Sequence, residues 1–164
     1  MISICPAVFS KGSTKDLARR DWHIDNWLEL SNILNKNNYL HNFILPKDQD
    51  DLFISAKASK IFPRDIKNLF EEIKKSSLVV TQDSGYMHIA RYYDVKVIAL
   101  FGPTKPLNFA LGKEIIIKGQ DCSSIPCHDG IAFTKKSKKC LCMENISVDD
   151  VYLNILNNIG QTNV

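Results

Sequence analysis

The stretch Leu78-Val79-Val80-Thr81-Gln82-Asp83-Ser84-Gly85-Tyr86-Met87-His88-Ile89-Ala90 constrains this chain more than any other. It opens as a short apolar, β-branched run, the pattern of a buried strand. It then turns through Asp-Ser-Gly and continues with helical spacing. Asp83 or Ser84 is placed to cap the first backbone N–H groups of that helix. Gly85 allows a ligand to approach the backbone closely. A helix start carries unpaired N–H groups and a partial positive charge, which together seat a phosphate. Ser84 and His88 are four residues apart and can face the same ligand. With the next apolar run, Lys96 to Phe101, the pattern is half of a nucleotide-binding α/β unit. Asp, Ser and Gly also satisfy an ordinary turn between a strand and a helix. A lone His on a first helical turn is commonly solvated or capping. Spacing alone therefore leaves both readings open.

The rest of the chain repeats the alternation. Ile2 to Cys5 reads as a strand stopped by Pro6, followed by a loop from Ala7 to Asp21 that carries Lys11, Lys15, Arg19 and Arg20. In open α/β sheets ligands sit beyond the carboxyl ends of the strands, so these cations lie where an anion would bind; a solvated basic loop is the simpler reading. Ile24, Trp27, Leu28, Ser31 and Leu34 give an amphipathic helix from about Asp21 to Lys36, ended by Asn37-Asn38. Leu40 to Leu45 is a strand, and the acidic turn Lys47 to Asp51 leads into a weak helix with Leu52, Phe53, Ala56 and Ala58. Lys60 to Phe62 is a short strand, and Asp65 caps a helix whose face is Ile66, Leu69, Phe70 and Ile73. Glu114 to Lys118 is the last strand. Ser147 with Asp150 matches a capping box ahead of a helix built on Val148, Val151, Tyr152, Ile155 and Ile159, with Gly160 as its stop. The expected fold is α/β: a Rossmann-like, mostly parallel sheet with helices on both faces, in one domain over residues 1–164.

Gly102-Pro103-Thr104-Lys105-Pro106 breaks the strand that ends at Phe101. This turn and the Asp-Ser-Gly turn lie at the carboxyl ends of their strands, facing one cleft. Thr104 and Lys105 offer it a hydroxyl and a cation, unless the segment is only a tight turn.

Composition narrows the class. At 45% hydrophobic and 24% charged residues, the 164-residue chain has the balance of a soluble domain with a substantial core. A net charge of +3 is too small to imply nucleic acid. No apolar run is long enough for a membrane span, and Met1 leads directly into a strand rather than a signal peptide, so the expected compartment is the cytoplasm. Four of the five cysteines fall in the pattern Cys122-x4-Cys127-x12-Cys140-x-Cys142, with His128 beside the second. The first pair has zinc-ligand spacing, whereas one intervening residue strains chelation by the second. Reduced, partly buried thiols are the expectation, with a zinc site and a disulfide as alternatives. The run Lys135-Lys136-Ser137-Lys138-Lys139 reads as a solvated basic loop, with weak attraction to an anionic membrane surface as its other use.

Together these motifs form a family pattern. Val79 to Pro106, VVTQDSGYMHIARYYDVKVIALFGPTKP, resembles the signature of glycosyltransferase family 9, the ADP-heptose:lipopolysaccharide heptosyltransferases. That signature is Asp-Ser/Thr-Gly-x-x-His-x-Ala, a strand, then Gly-Pro-Thr-x-Pro. Asp83, Ser84, Gly85, His88, Ala90, Gly102, Pro103, Thr104 and Pro106 match it. Pro126-Cys127, Cys142-Met143 and the helix start from Ile146 to Val151 resemble the family's C-terminal end. Arg20-Asp21-Trp22, followed by Trp27, resembles the family's Lys-x-Trp-Pro stretch, with Arg20 in place of Lys and His23 in place of Pro.

The resemblance implies one half of a GT-B type glycosyltransferase, the half that binds the nucleotide-sugar donor. The half that carries the acceptor site and the catalytic base has no counterpart here, so no catalytic residue is assigned. Carried over by position, Ser84, Gly85 and the nearby backbone N–H groups would hold the donor diphosphate, with His88 and Thr104 at the same site. Arg20 would take the phosphate role of the family's Lys, with a fork in place of a point charge. Asp83 would brace the turn rather than meet a phosphate of like charge. The acidic turn from Asp48 to Asp51 would lie near the donor ribose. The implied donor is ADP-heptose or a similar nucleotide sugar, with no metal or other cofactor required. The acceptor is a lipopolysaccharide or glycolipid held by a separate domain, with contact at the inner membrane surface and no nucleic acid partner. A non-catalytic nucleotide-sugar-binding module, or a degenerate remnant of the enzyme, is the alternative. A flavodoxin-like or dehydrogenase domain is disfavoured, because no Gly-x-Gly-x-x-Gly follows the first strand.

Overall fold

A computed structural model describes residues 1–6, 20–106, 112, 114–119 and 141–159. Its centre is a sheet of six strands: β1 (Ile2–Cys5), β2 (His41–Ile44), β3 (Ser59–Ile61), β4 (Leu78–Gln82), β5 (Lys96–Phe101) and β6 (Ile115–Lys118). Every pairing is parallel, in the order β3-β2-β1-β4-β5-β6. The chain winds outward from β1 to β3, returns to lay β4 against β1, and winds outward the other way. The reversal places a topological switch point between the carboxyl ends of β1 and β4, where such sheets form their ligand crevice.

Five α-helices complete the described fold: α1 (Ile24–Lys36), α2 (Ile66–Lys74), α3 (Gly85–Tyr92), α4 (Leu141–Glu144) and α5 (Val148–Asn158). The two-residue period of the strands sorts the core into two layers. On one face Ile2, Ile4, Phe43, Leu78, Val80, Ile98 and Leu100 pack with Trp27, Leu30 and Leu34 of α1 and Val151 and Ile155 of α5. On the other, Cys5, Ile44, Val79, Val97, Ala99 and Phe101 pack with Ile73 of α2 and Met87 and Ala90 of α3. Both faces are covered, which is why runs such as Leu78–Val80 and Val97–Phe101 are wholly apolar.

Local chemistry sets the boundaries. The Asp65 carboxylate accepts from the Asn68 backbone N–H at 2.8 Å, and the Asn68 side chain accepts from the Arg64 N–H at 3.2 Å, so α2 has a reciprocal cap. Ser147 accepts from the Asp150 N–H at 3.0 Å, but its hydroxyl donates to the Asp150 carboxylate, so the short Asp side chain does not reach back to the backbone. α1 ends at Asn37, and Asn38 takes a left-handed φ of 60°, which Asn tolerates.

Three expectations differ from the structure. α1 begins at Ile24 rather than near Asp21, because Asp21 and Trp22 are held in an irregular segment by β4. The helix expected after the acidic turn is a short 3₁₀ segment, Lys47–Phe53. Lys60 of β3 hydrogen bonds both Asp50 and the Phe53 carbonyl and fixes the end of that turn. Ile66, expected on the buried face of α2, is 59% exposed.

α4 has four residues and no periodicity to read. Its Cys142 and Met143 are buried. Gly102 and Gly119 make room for it: added Cβ atoms would lie 2.5 Å from the Met143 sulfur and 1.5 Å from the Cys142 carbonyl oxygen, respectively. Gly102, expected to act as a breaker of regular structure, is thus also a point of close approach. The loop cations Lys11, Lys15 and Arg19, the cysteines Cys122, Cys127 and Cys140 with His128, the lysine run 135–139 and the Gly160 stop lie outside the described residues.

Candidate functional site

The switch point is built from three segments. β1 ends at Cys5 and Pro6. β4 ends at Gln82 and passes through Asp83 and Ser84 into α3. Residues 20–22 approach from the first crossover, just ahead of α1.

Asp83 is the hub. It is 4% exposed, and its backbone N–H donates to the Leu100 carbonyl at 3.0 Å, tying the end of β4 to β5. The fully buried Thr104 donates its hydroxyl proton to the Asp83 carboxylate at 2.7 Å. The Arg20 guanidinium lies 3.2 Å from the same carboxylate. A carboxylate out of water is sustained only by such partners, so the arrangement is one interdependent unit. Thr104, expected beside a phosphate, has its one proton directed at Asp83. Lys105 is exposed.

Ser84 sits at the N-cap of α3 in an extended conformation (φ −157°, ψ 172°), yet makes no capping hydrogen bond. Its hydroxyl is 3.0 Å from that of Thr81. Thr81 spends its own proton on the Cys5 carbonyl at 2.7 Å. Ser84 therefore donates to Thr81, and the chain Ser84–Thr81–Cys5 crosses the seam between β4 and β1. The side-chain cap expected of Asp83 or Ser84 is not made; both side chains are engaged elsewhere, and the helix start keeps its N–H groups for another acceptor. Gly85 is exposed, with no atom within 4 Å of where a Cβ would stand. His88 is half-buried, with no hydrogen bond or ion pair to another described residue.

Two neutral groups flank the turn. Burial pushes the Tyr86 phenol well above its ordinary range, and the nearby Cys5 and Asp48 push the same way. Burial likewise holds the Cys5 thiol far above its ordinary value, so it is not a nucleophile at neutral pH. In the acidic turn, Asp50 is held below its ordinary value by its hydrogen bond to Lys60, against a smaller opposing effect of burial.

The residues singled out from the sequence thus come together: Arg20, Asp83, Ser84, Gly85, His88 and Thr104 belong to one turn and the segments packed on it. Gln82 was not singled out. Its carbonyl accepts from the Trp22 N–H at 3.1 Å and its amide donates to Asp21 at 2.8 Å. The available signal was a carboxamide closing a fully buried strand. Among the described residues no three His, Cys, Asp or Glu side chains are grouped to hold a metal ion. Nor is any described helix long and apolar enough to cross a membrane.

Known proteins share the pattern. The family model for glycosyltransferase family 9 (heptosyltransferase) matches residues 5–136. Lipooligosaccharide heptosyltransferase 2 of Campylobacter jejuni subsp. jejuni serotype O:6 is 50% identical over 40 residues, which are 24% of this chain and 13% of that protein. The crystal structure of a family 9 glycosyltransferase from Veillonella parvula superimposes with a TM-score of 0.73 at 16% identity, covering 95% of this chain and 45% of that one. The Escherichia coli heptosyltransferase WaaC with ADP gives 0.68 at 13% identity, covering 96% and 44%. This chain spans less than half the length of either solved structure, and its sheet is one half of their GT-B fold. The match over most of its length makes the chain a member of glycosyltransferase family 9, the heptosyltransferase family.

Proposed function

We propose that this chain is the donor-binding half of a heptosyltransferase-type enzyme that transfers a sugar from a nucleotide diphosphate to a lipopolysaccharide-related acceptor. The observation that carries the reading is the uncapped start of α3 at the switch point, with Gly85 open and Arg20 fixed beside it by Asp83. The donor diphosphate accepts from the N–H groups at the start of α3 and faces the Arg20 fork. Ser84 joins by turning its hydroxyl away from Thr81, and His88 lies one turn further along. Thr104 and Asp83 act through Arg20 and the turn rather than on the ligand. The acidic turn, whose Asp48 adds to the upward push on the Tyr86 phenol, would meet the ribose. That a solved relative carries ADP supports an adenine nucleotide.

In the transfer step a base deprotonates an acceptor hydroxyl, the hydroxyl oxygen bonds to the anomeric carbon, and the nucleoside diphosphate leaves with the bond electrons. This half stabilises the leaving charge. A helix start contributes about 0.3–2 kcal/mol to that, well below the roughly 8 kcal/mol or more that enzymatic rates require. Arg20, a closed cleft and the acceptor-side half, which supplies the base and the glycolipid site, provide the remainder. A buried thiol at Cys5 fits a reducing, cytoplasmic compartment, with the acceptor met at the inner membrane surface.

Calorimetric titration with ADP, GDP and UDP tests the donor site. Saturable ADP binding, weakened in Ser84→Ala and in Arg20→Lys, is the expected result; failure to bind any of the three removes the proposal for this chain. Lys is chosen because removing the cation altogether leaves the buried Asp83 carboxylate without a counter-charge. A sugar-transfer assay then separates a working half from a non-catalytic binding module: addition of the acceptor-side half restores turnover only in the first case.

A further inference from the structure

Gln82 ends β4 on the face covered by α1, and it is fully buried. Leu78 and Val80 fill the same layer earlier on the strand with apolar side chains. A carboxamide in that position is costly unless both ends are hydrogen bonded. Both ends are, and both partners lie on the irregular segment just after Arg20: the Trp22 N–H at 3.1 Å and the Asp21 carboxylate at 2.8 Å. Trp22 is anchored in turn, with its indole N–H donating to the Ile146 carbonyl at 2.9 Å and its ring set edge-on to Trp27 at 4.7 Å. Two consecutive residues at the end of β4 therefore hold three consecutive residues of the crossover: Gln82 holds Asp21 and Trp22, and Asp83 holds Arg20.

We propose that Gln82 is a positioning residue for the anion site: its buried carboxamide fixes the segment from Arg20 to Trp22, so that the guanidinium is aimed at the α3 turn before any ligand arrives. The inference deepens the donor-site reading and rests on it. A cation delivered in place spares the ligand the cost of ordering it.

The experiment exchanges donor and acceptor. In Gln82→Glu the Trp22 N–H keeps an acceptor, but two carboxylates meet at Asp21. In the double variant Gln82→Glu with Asp21→Asn, the donor and acceptor trade sides and the net charge equals that of the native chain. Titration with ADP should show about tenfold weaker binding for Gln82→Glu and recovery to within about threefold for the double variant, as expected for directly coupled groups. Binding unchanged in Gln82→Glu, or no recovery in the double variant while its thermal melting matches the native chain, overturns the proposal. Amide hydrogen exchange at Trp22 gives a readout that needs no ligand. Exchange should quicken in Gln82→Met, and unchanged exchange there overturns the proposal even if the native chain binds ADP. A native chain that fails to bind ADP defeats the donor-site reading instead, and the exchange result then decides the clamp alone.

Discussion

Gly85 has open space where a Cβ would stand, at the first helical position of α3. Alanine there meets nothing in the protein and restricts the unfolded chain, so Gly85→Ala should leave the melting temperature unchanged or raise it, by up to about 1 kcal/mol of stability. The same methyl would stand where the proposed site brings a diphosphate to the backbone, so on that proposal ADP affinity should fall in calorimetry. Stability and binding moving in opposite directions separates a ligand-contact glycine from a turn-forming one. His41 supplies a second prediction at this scale. It is buried at the start of β2, where its Nδ1–H donates to the Tyr39 carbonyl at 2.9 Å and its Nε2 pairs with the Ser31 hydroxyl at 2.8 Å. Burial lowers its pKa from the ordinary 6.5, with a partial opposing effect from the Tyr39 bond. The unfolded chain then binds the proton more readily than the folded one. Stability is full above about 6.5 and is lost as pH falls from there through the folded value. Urea midpoints measured from pH 8 to 5 should drop across that window, and the His41→Gln slope should be shallower.

α4 and α5 carry the predictions about elements. Seating α4 depends on two missing side chains of different importance. A Cβ at Gly102 meets the flexible end of Met143, whereas one at Gly119 meets the backbone carbonyl of Cys142. Thermal denaturation should therefore find Gly119→Ala the more costly, by at least about 2 kcal/mol, with a milder loss for Gly102→Ala. At α5, Ser147→Ala removes the cap on Asp150 and should cost about 0.5–2 kcal/mol by the same measurement. These elements also mark what the sequence could and could not reveal. The strands were legible because burial on both faces leaves runs such as Leu78–Val80 and Val97–Phe101 without polar interruption. The caps at Asp65 and Ser147 were legible because a capping side chain acts within three residues. α4 was not, since four residues hold no period. The start of α1 was misjudged because its would-be first turn is held by Gln82, sixty residues away.

At the scale of the molecule, alternating strands and helices imply a parallel sheet, but strand order does not follow from them. The order β3-β2-β1-β4-β5-β6 puts the turn after β4 at the switch point, where such sheets bind ligands, rather than leaving it one loop among several. The family motif pointed to the turn after β4 and to the segments packed on it. What the motif left unsaid was the direction of each proton: Thr104 looked like a phosphate donor in one dimension and serves Asp83 in three. A ligand at this crevice should stabilise the whole fold, since its contacts come from both directions of winding. ADP at a hundred times its dissociation constant should add about 2.7 kcal/mol to the unfolding free energy in a thermal-shift titration.

The seam between β1 and β4 joins residues 76 positions apart, as the bond from Thr81 to Cys5 illustrates. During synthesis, β1 can take β2 on one side as soon as that strand emerges, but its other edge stays open until β4 is made. Until then that edge offers unpaired N–H and C=O groups to any passing strand. Closing it also brings the β4 turn beside β1. The candidate site is therefore assembled in the same event that closes the second edge of β1.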